Sequence, residues 1–174
     1  HYNKYQTGGL QHLYARHIRR EVGEDTFHDF FKFAFVRNPW DRLVSQYSYL
    51  ERRPDLREFM KVPEGTPFAD YIQLAFDSGH VQVAPQADFI YGADGELLVD
   101  FIGRFERLAE DAATVFERIG LEDASLPAAN ASRRASDYRG YYDDASAERV
   151  AALYARDIEK FNYRFDTPPP APDN

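Results

Sequence analysis

Arg37 and Ser45 are the residues of this chain best suited to hold a small anion, because the sequence around them turns a strand into a helix. The stretch reads Phe31-Lys32-Phe33-Ala34-Phe35-Val36-Arg37-Asn38-Pro39-Trp40-Asp41-Arg42-Leu43-Val44-Ser45-Gln46-Tyr47. Residues 31–36 are apolar except for Lys32, the pattern of a parallel strand covered on both faces. Asn38 is a helix-capping residue type, and Pro39 fits the first helical position, where its missing N–H costs nothing. On the helix that follows, Trp40, Leu43, Val44 and Tyr47 recur at i, i+3, i+4 and i+7 and should face the core, while Arg42 and Ser45 share another face. Arg37 then stands at the carboxyl end of the strand, where open α/β sheets bind ligands. A guanidinium fork, a hydroxyl and the free N–H groups of a helix start suit a phosphate dianion. The competing reading is that Arg37 and Arg42 pair with Asp41 and other carboxylates, and that Ser45 is an ordinary surface residue.

The elements that must carry this corner follow from periodicity and punctuation. A helix is expected over residues 7–22, with Leu10, Leu13, Tyr14, His17 and Ile18 inward, then a turn over 23–29. The helix after Pro39 should stop near Arg53, since Pro54 disfavours helix in the residue before it. Residues 54–67 read as irregular, and a helix from Thr66 or Pro67 runs to a stop at Gly79. Residues 80–95 read as mostly loop with a short extended piece at 89–91, and 93–96 as a turn leading to a strand at 97–102. Leu108, Ala112, Val115, Phe116 and Ile119 mark a further helix with Gly120 as its left-handed cap. Residues 126–142 lack periodicity and carry Arg133, Arg134 and Arg139, either a loop closing on an anion or a solvated basic segment. Asp143 or Asp144 caps a last helix bearing Val150, Tyr154, Ile158 and Phe161, and 167–174 is a Pro-rich tail.

Composition sets bounds on function. The chain has 174 residues, the size of one domain, and its 14 Phe and 12 Tyr give a core bulk. With 21 basic and 29 acidic residues the net charge is −8, so the overall field repels nucleic acid and anionic membranes, and any anion site must be local. No stretch is apolar enough to span a bilayer. The absence of cysteine removes disulfides and thiolate catalysis. The histidines lack His-Glu-x-x-His spacing, no Gly-x-Ser-x-Gly elbow occurs, and Asp77-Ser78-Gly79-His80 reads as a turn rather than a triad. Pairs such as Glu110-Asp111 and Asp143-Asp144 read as helix-end charges. A kinase is disfavoured by the lack of a Walker lysine.

The string FKFAFVRNPWDRLVSQY resembles the 3′-phosphate-binding segment of sulfotransferases that use 3′-phosphoadenosine 5′-phosphosulfate (PAPS), most closely the sulfotransferase family 2 group related to carbohydrate sulfotransferases. VDFIGRFERLAEDAATVFERIGL at 99–121 is similar to that family's later strand and helix, and NASRRASDYRGYYDD with YARDIEKFNYRF to its carboxyl-terminal segment. The resemblance implies an α/β domain over 1–166 in the P-loop-like sulfotransferase fold, a mostly parallel sheet with helices on both faces. It implies sulfuryl transfer from PAPS to a hydroxyl, expectedly of a carbohydrate, with Arg37 and Ser45 on the 3′-phosphate. Arg42 supports the corner, and the loop carrying Ser132, Arg133, Arg134 and Arg139 closes over the nucleotide. His1 lies where related sequences often carry a histidine and is the candidate base, against the reading of a frayed end. Arg104 and Glu106 also fall where ligands sit in such sheets, although Glu106 equally suits a helix start. The family's opening strand and its lysine-bearing loop around the 5′-phosphosulfate have no counterpart here. The expectation is therefore an amino-terminally incomplete domain, with a noncatalytic nucleotide- or partner-binding module as the alternative. The expected compartment is cytoplasmic if the source is bacterial, with an upstream anchor left open.

Overall fold

The computed structural model describes residues 12–121, 126 and 137–166. At its centre β1 (Phe33–Val36) pairs in parallel with β2 (Phe101–Arg104), Phe33 opposite Phe101 and Val36 opposite Arg104. Gly103 sits opposite Phe35, whose ring lies where a side chain would go: a Cβ there would meet it at 2.4 Å. Glycine at that point lets the aromatic strand lie flat on its neighbour.

Before the sheet come α1 (Ala15–Val22) and α2 (Glu24–Asp29). Among the described residues α1 begins later than its periodicity suggests, because Tyr14 is extended and stacks on Phe89 with ring centroids 4.7 Å apart. Ala15 is its buried residue, whereas Ile18, expected inside, is exposed. Residues 24–29, expected as a turn, are helical: Glu24 and Asp25 favour the positive helix start, and Phe27 anchors the segment in a small cluster with Ala15 and Leu98.

After β1, α3 (Pro39–Leu50) starts as the sequence predicts, with Asn38 as its cap and Trp40, Leu43 and Val44 buried. It stops three residues before Arg53, and Pro54 opens α4 (Pro54–Phe59) instead of an irregular stretch, using its fixed φ at the first helical position. Next come α5 (Phe68–Asp77), a 3₁₀ turn at Val81–Val83 and α6 (Gln86–Ile90). The last two correct the loop expected over 80–95. After β2, a 3₁₀ turn at Phe105–Arg107 leads into α7 (Leu108–Arg118), which ends as expected on Gly120 at φ 76°.

A 3₁₀ turn at Tyr138–Tyr141 precedes α8 (Asp144–Leu153), where Asp143 and Ser146 form a reciprocal capping box. The single last helix expected from periodicity is two, α8 and α9 (Ala155–Phe161), with the break at Tyr154. Burying that ring engages its hydroxyl, which donates to the Val83 carbonyl at 2.8 Å. The main core gathers α3, α5 and α8 with β1 and the carboxyl-terminal aromatics Phe161 and Tyr163. The result is helix-rich with a small parallel sheet, in agreement with the α/β class. Among the described residues no helix is long and apolar enough to cross a membrane, and no cluster of acidic and histidine side chains could hold a metal ion. His1, Ser132, Arg133, Arg134 and the tail at 167–174 lie outside the described residues.

Candidate functional site

The corner after β1 is held by one buried asparagine. Asn38 Oδ1 accepts from the Trp40 and Asp41 N–H groups at 3.0 and 3.4 Å, while its Nδ2 donates to Tyr138 Oη at 3.2 Å and the Arg164 carbonyl at 3.1 Å. Its own N–H donates to Glu106 Oε1, and Glu106 Oε2 accepts from Tyr163 Oη at 3.0 Å. Trp40 Nε1 donates to the Ala147 carbonyl at 2.9 Å, and Tyr142 Oη donates to the Trp40 carbonyl at 2.9 Å. The bonds to Tyr138, Tyr142, Ala147 and Arg164 tie the strand-to-helix corner to the carboxyl-terminal segment a hundred or more residues away. Glu106 thus serves the frame. Burial pushes the Tyr138 phenol up to about 12, keeping it neutral and able to donate to the Phe165 carbonyl.

Arg37, Arg42 and Ser45 open onto one cleft of about 570 Å³, a volume typical of small-molecule sites. Arg37 is mostly buried; its Nε donates to Asp41 Oδ2 at 2.6 Å and its guanidinium lies 4.1 Å over the Phe105 ring. The carboxylate pairing weighed from the sequence is therefore present, and it fixes the guanidinium at the cleft. Among the described residues Arg42 pairs with no carboxylate. Its Nη1 and Nη2 donate to the Ala84 and Gln82 carbonyls at 2.9 and 2.7 Å, so it joins α3 to the opposite wall. Gln46 reinforces that wall by donating to Gln82 Oε1 at 2.8 Å. Ser45 Oγ has no hydrogen-bond partner among the described residues and faces the same space.

The backbone of Arg37 is gripped by a residue that no local pattern singles out. The Gln86 side chain accepts from the Arg37 N–H at 2.9 Å and donates to the Arg37 carbonyl at 2.7 Å. Gln86 is itself set by Asp157, fully buried on α9, whose carboxylate accepts from the Gln86 and Ala87 N–H groups at 2.8 and 2.7 Å and from Gln86 Nε2 at 3.2 Å. Burial raises the Asp157 pKa above its ordinary value, and the two N–H donors oppose that rise.

Tyr49, Arg52 and Arg53 complete the cleft beyond Ser45, and no carboxylate lines it among the described residues. Arg53 is paired with both oxygens of Asp55 at 2.9 and 2.7 Å and also donates to Tyr49 Oη. The arrangement is cationic, with a free hydroxyl, inside a molecule of net charge −8.

The sequence profile of the sulfotransferase family matches residues 2–164. The chain belongs to the sulfotransferase family. It is also 32% identical over 114 residues to an uncharacterized protein of Archaeoglobus fulgidus, a stretch covering 61% of this chain and 81% of that protein. No solved structure matches the chain.

Within this sulfotransferase-family domain, the other described residues singled out from the sequence do not line the cleft. Arg139 is locked against Asp137 through Nε and Nη2 at 2.8 Å each, and that contact holds the Asp137 carboxyl below its usual range. Arg104 donates to the Phe161 carbonyl at 2.6 Å and stacks on Tyr163. His12 and His17 are both half-buried, and His17 meets the Tyr14 ring edge-on at 5.2 Å. Sequence reasoning missed Gln46, Gln82 and Arg52. Spacing carries a signal for Arg52 alone, since 45, 49 and 52 follow each other on one helical face.

Proposed function

We propose that this protein transfers a sulfuryl group from PAPS to a hydroxyl of a saccharide acceptor, within the P-loop-like sulfotransferase architecture. The observation that carries the reading is the convergence of Arg37 and Ser45, from the strand end and the helix, on one cationic cleft free of carboxylates among the described residues. Arg37 and Ser45 hold the donor's 3′-phosphate, Arg37 through a charge-assisted fork and Ser45 through its hydroxyl. Arg42 holds the wall at 82–84 against α3. Ser132, Arg133, Arg134 and Arg139 close over the nucleotide in this proposal, with Arg139 exchanging its Asp137 contact for the ligand.

In the reaction the acceptor oxygen attacks sulfur, the bond from sulfur to the bridging phosphate oxygen breaks, and adenosine 3′,5′-bisphosphate leaves. The acceptor proton passes to a base, for which His1 is the proposed group. Fixing the 3′-phosphate contributes by positioning: it sets the donor so that sulfur lies in line with the acceptor hydroxyl.

The test is calorimetric titration with PAPS, followed by a labelled-sulfate transfer assay over glycans, phenols and steroids. Donor binding is the expected result, with weak transfer confined to glycans because the lysine-bearing loop has no counterpart in this sequence; binding with no label on any acceptor would favour the noncatalytic alternative. Label only on phenols or steroids would refute the acceptor class, and a protein that does not bind PAPS would refute the proposal as a whole.

A further inference from the structure

A phosphate monoester at the Ser45 end of the cleft carries close to two charges, and the cation assigned to it there is already countered. Arg37 lies against Asp41 at 2.6 Å, with both side chains largely buried. Arg42 directs two donors to backbone carbonyls, and Arg53 is held by Asp55. Arg52 is different. It lines the same cleft, is exposed, and its side chain makes no hydrogen bond or ion pair among the described residues.

Its position suits the same anion. Arg52 follows Ser45 by seven residues, two helical turns, and so falls on the same face about 10 Å along the axis. The turn continues past Leu50: Glu51 is helical at φ −57° and ψ −29°, and the Arg52 N–H donates to the Tyr49 carbonyl at 3.1 Å. Side chains on a helix lean toward its amino terminus, and Arg52 and Ser45 line one cleft, so the guanidinium has a short path to the turn that carries Ser45. An exposed cation on the wall shared with Ser45 offers an anion held there a second point of contact.

We propose that Arg52 is a further phosphate-binding residue, swinging along α3 to supply the uncountered charge for the 3′-phosphate that Arg37 and Ser45 position. This inference rests on the reading of the cleft given above and adds a residue to it. The gain is selectivity for a nucleotide bearing a 3′-phosphate over one without it, with a steep dependence on salt, since Arg52 is exposed and its attraction is screened.

The experiment is calorimetry on the whole chain with adenosine 3′,5′-bisphosphate and adenosine 5′-monophosphate, at low and at physiological salt. Wild type should prefer the bisphosphate, and Arg52→Ala should reduce that preference about tenfold while the thermal midpoint stays unchanged. Arg52→Lys should restore part of it, keeping the charge without the fork. Arg57→Ala, which removes a cation paired with Glu64 away from the cleft, should keep the full preference and its salt dependence. If Arg52→Ala retains the wild-type preference while Ser45→Ala loses it, Arg52 plays no part and the phosphate site stands without it. If wild type itself shows no preference, the assignment of the cleft fails and this inference with it.

Discussion

The two ends of α3 are built in opposite ways. At its start Asn38 makes four hydrogen bonds through its side chain, a fifth through its N–H, and is almost fully buried. Toward and just past its finish, the side chains of Ser45 and Arg52 line a cleft with no hydrogen-bond partner among the described residues. Buried polar groups must be satisfied internally or they destabilise the fold, so the first turn is frame. Polar groups left uncommitted in a cationic concavity contribute nothing to the frame and are available to a ligand. Arg37 stands between the two cases, braced by Asp41 and Gln86 yet opening on the cleft. One helix therefore carries both the anchor that fixes the corner and the groups that the corner presents.

The contrast breaks most visibly at Trp40. Trp40→Ala removes a buried ring and the bond to the Ala147 carbonyl, so the expected loss is about 3–5 kcal/mol, read as a large fall in the denaturation midpoint. A variant that keeps wild-type stability would show that the α3 corner is not the frame described here.

Asp157 sharpens the comparison through pH. Its folded-state pKa is raised, so below the ordinary carboxylate value of about 3.9 its contribution is at its most favourable. That contribution falls as pH rises from there through the raised value, and is constant above it. Asp157→Asn does not titrate, and its amide N–H groups face the donors of Gln86 and Ala87. The stability difference, wild type minus Asp157→Asn, should therefore shrink with rising pH over that window. Chemical denaturation at several pH values measures it; a difference that grows would reverse the sign of the shift. Loosening of Gln86 in the same variant should also weaken binding of adenosine 3′,5′-bisphosphate, because Gln86 sets the Arg37 backbone.

The smallest effect is expected at Tyr71, fully buried against Tyr47 and Phe68, whose hydroxyl has no hydrogen-bond partner among the described residues. Tyr71→Phe removes an unsatisfied group rather than a bond, and should leave stability equal or raise it by about 1 kcal/mol. A clear loss in the melting midpoint would mean that the hydroxyl is bonded in solution.

What the sequence revealed and what it hid divide along the same physical line. The Asn38-Pro39 corner, the Gly120 cap and the Asp143 cap are local signals, carried by residue types at fixed offsets, and the structure has all three. The helices at Glu24–Asp29, Pro54–Phe59 and Gln86–Ile90 are too short to display periodicity. Tertiary contacts support two of them: Phe27 anchors the first, and Asp157 caps the third from 71 positions away. The site divides likewise. Arg37 and Ser45 belong to a contiguous string and were legible as a pair. The Gln86 grip on Arg37 spans 49 positions and the Arg42 bridge to Gln82 spans 40, and neither leaves a trace in spacing. Arg42 was legible as a support of the corner, but its acceptors were not.

The central claim is that Arg37 and Ser45 form a site for a 3′-phosphate, and Ser45→Ala tests it most directly because that hydroxyl has no bond to lose among the described residues. The measurement is the affinity ratio of adenosine 3′,5′-bisphosphate to adenosine 5′-monophosphate by calorimetry, in wild type and in Ser45→Ala. A lost charged hydrogen bond is worth about 1.5–3 kcal/mol, so the ratio should be large in wild type and fall roughly tenfold or more in the variant, with unchanged melting. Equal affinities for the two nucleotides in wild type, or a ratio untouched by Ser45→Ala, would contradict the account.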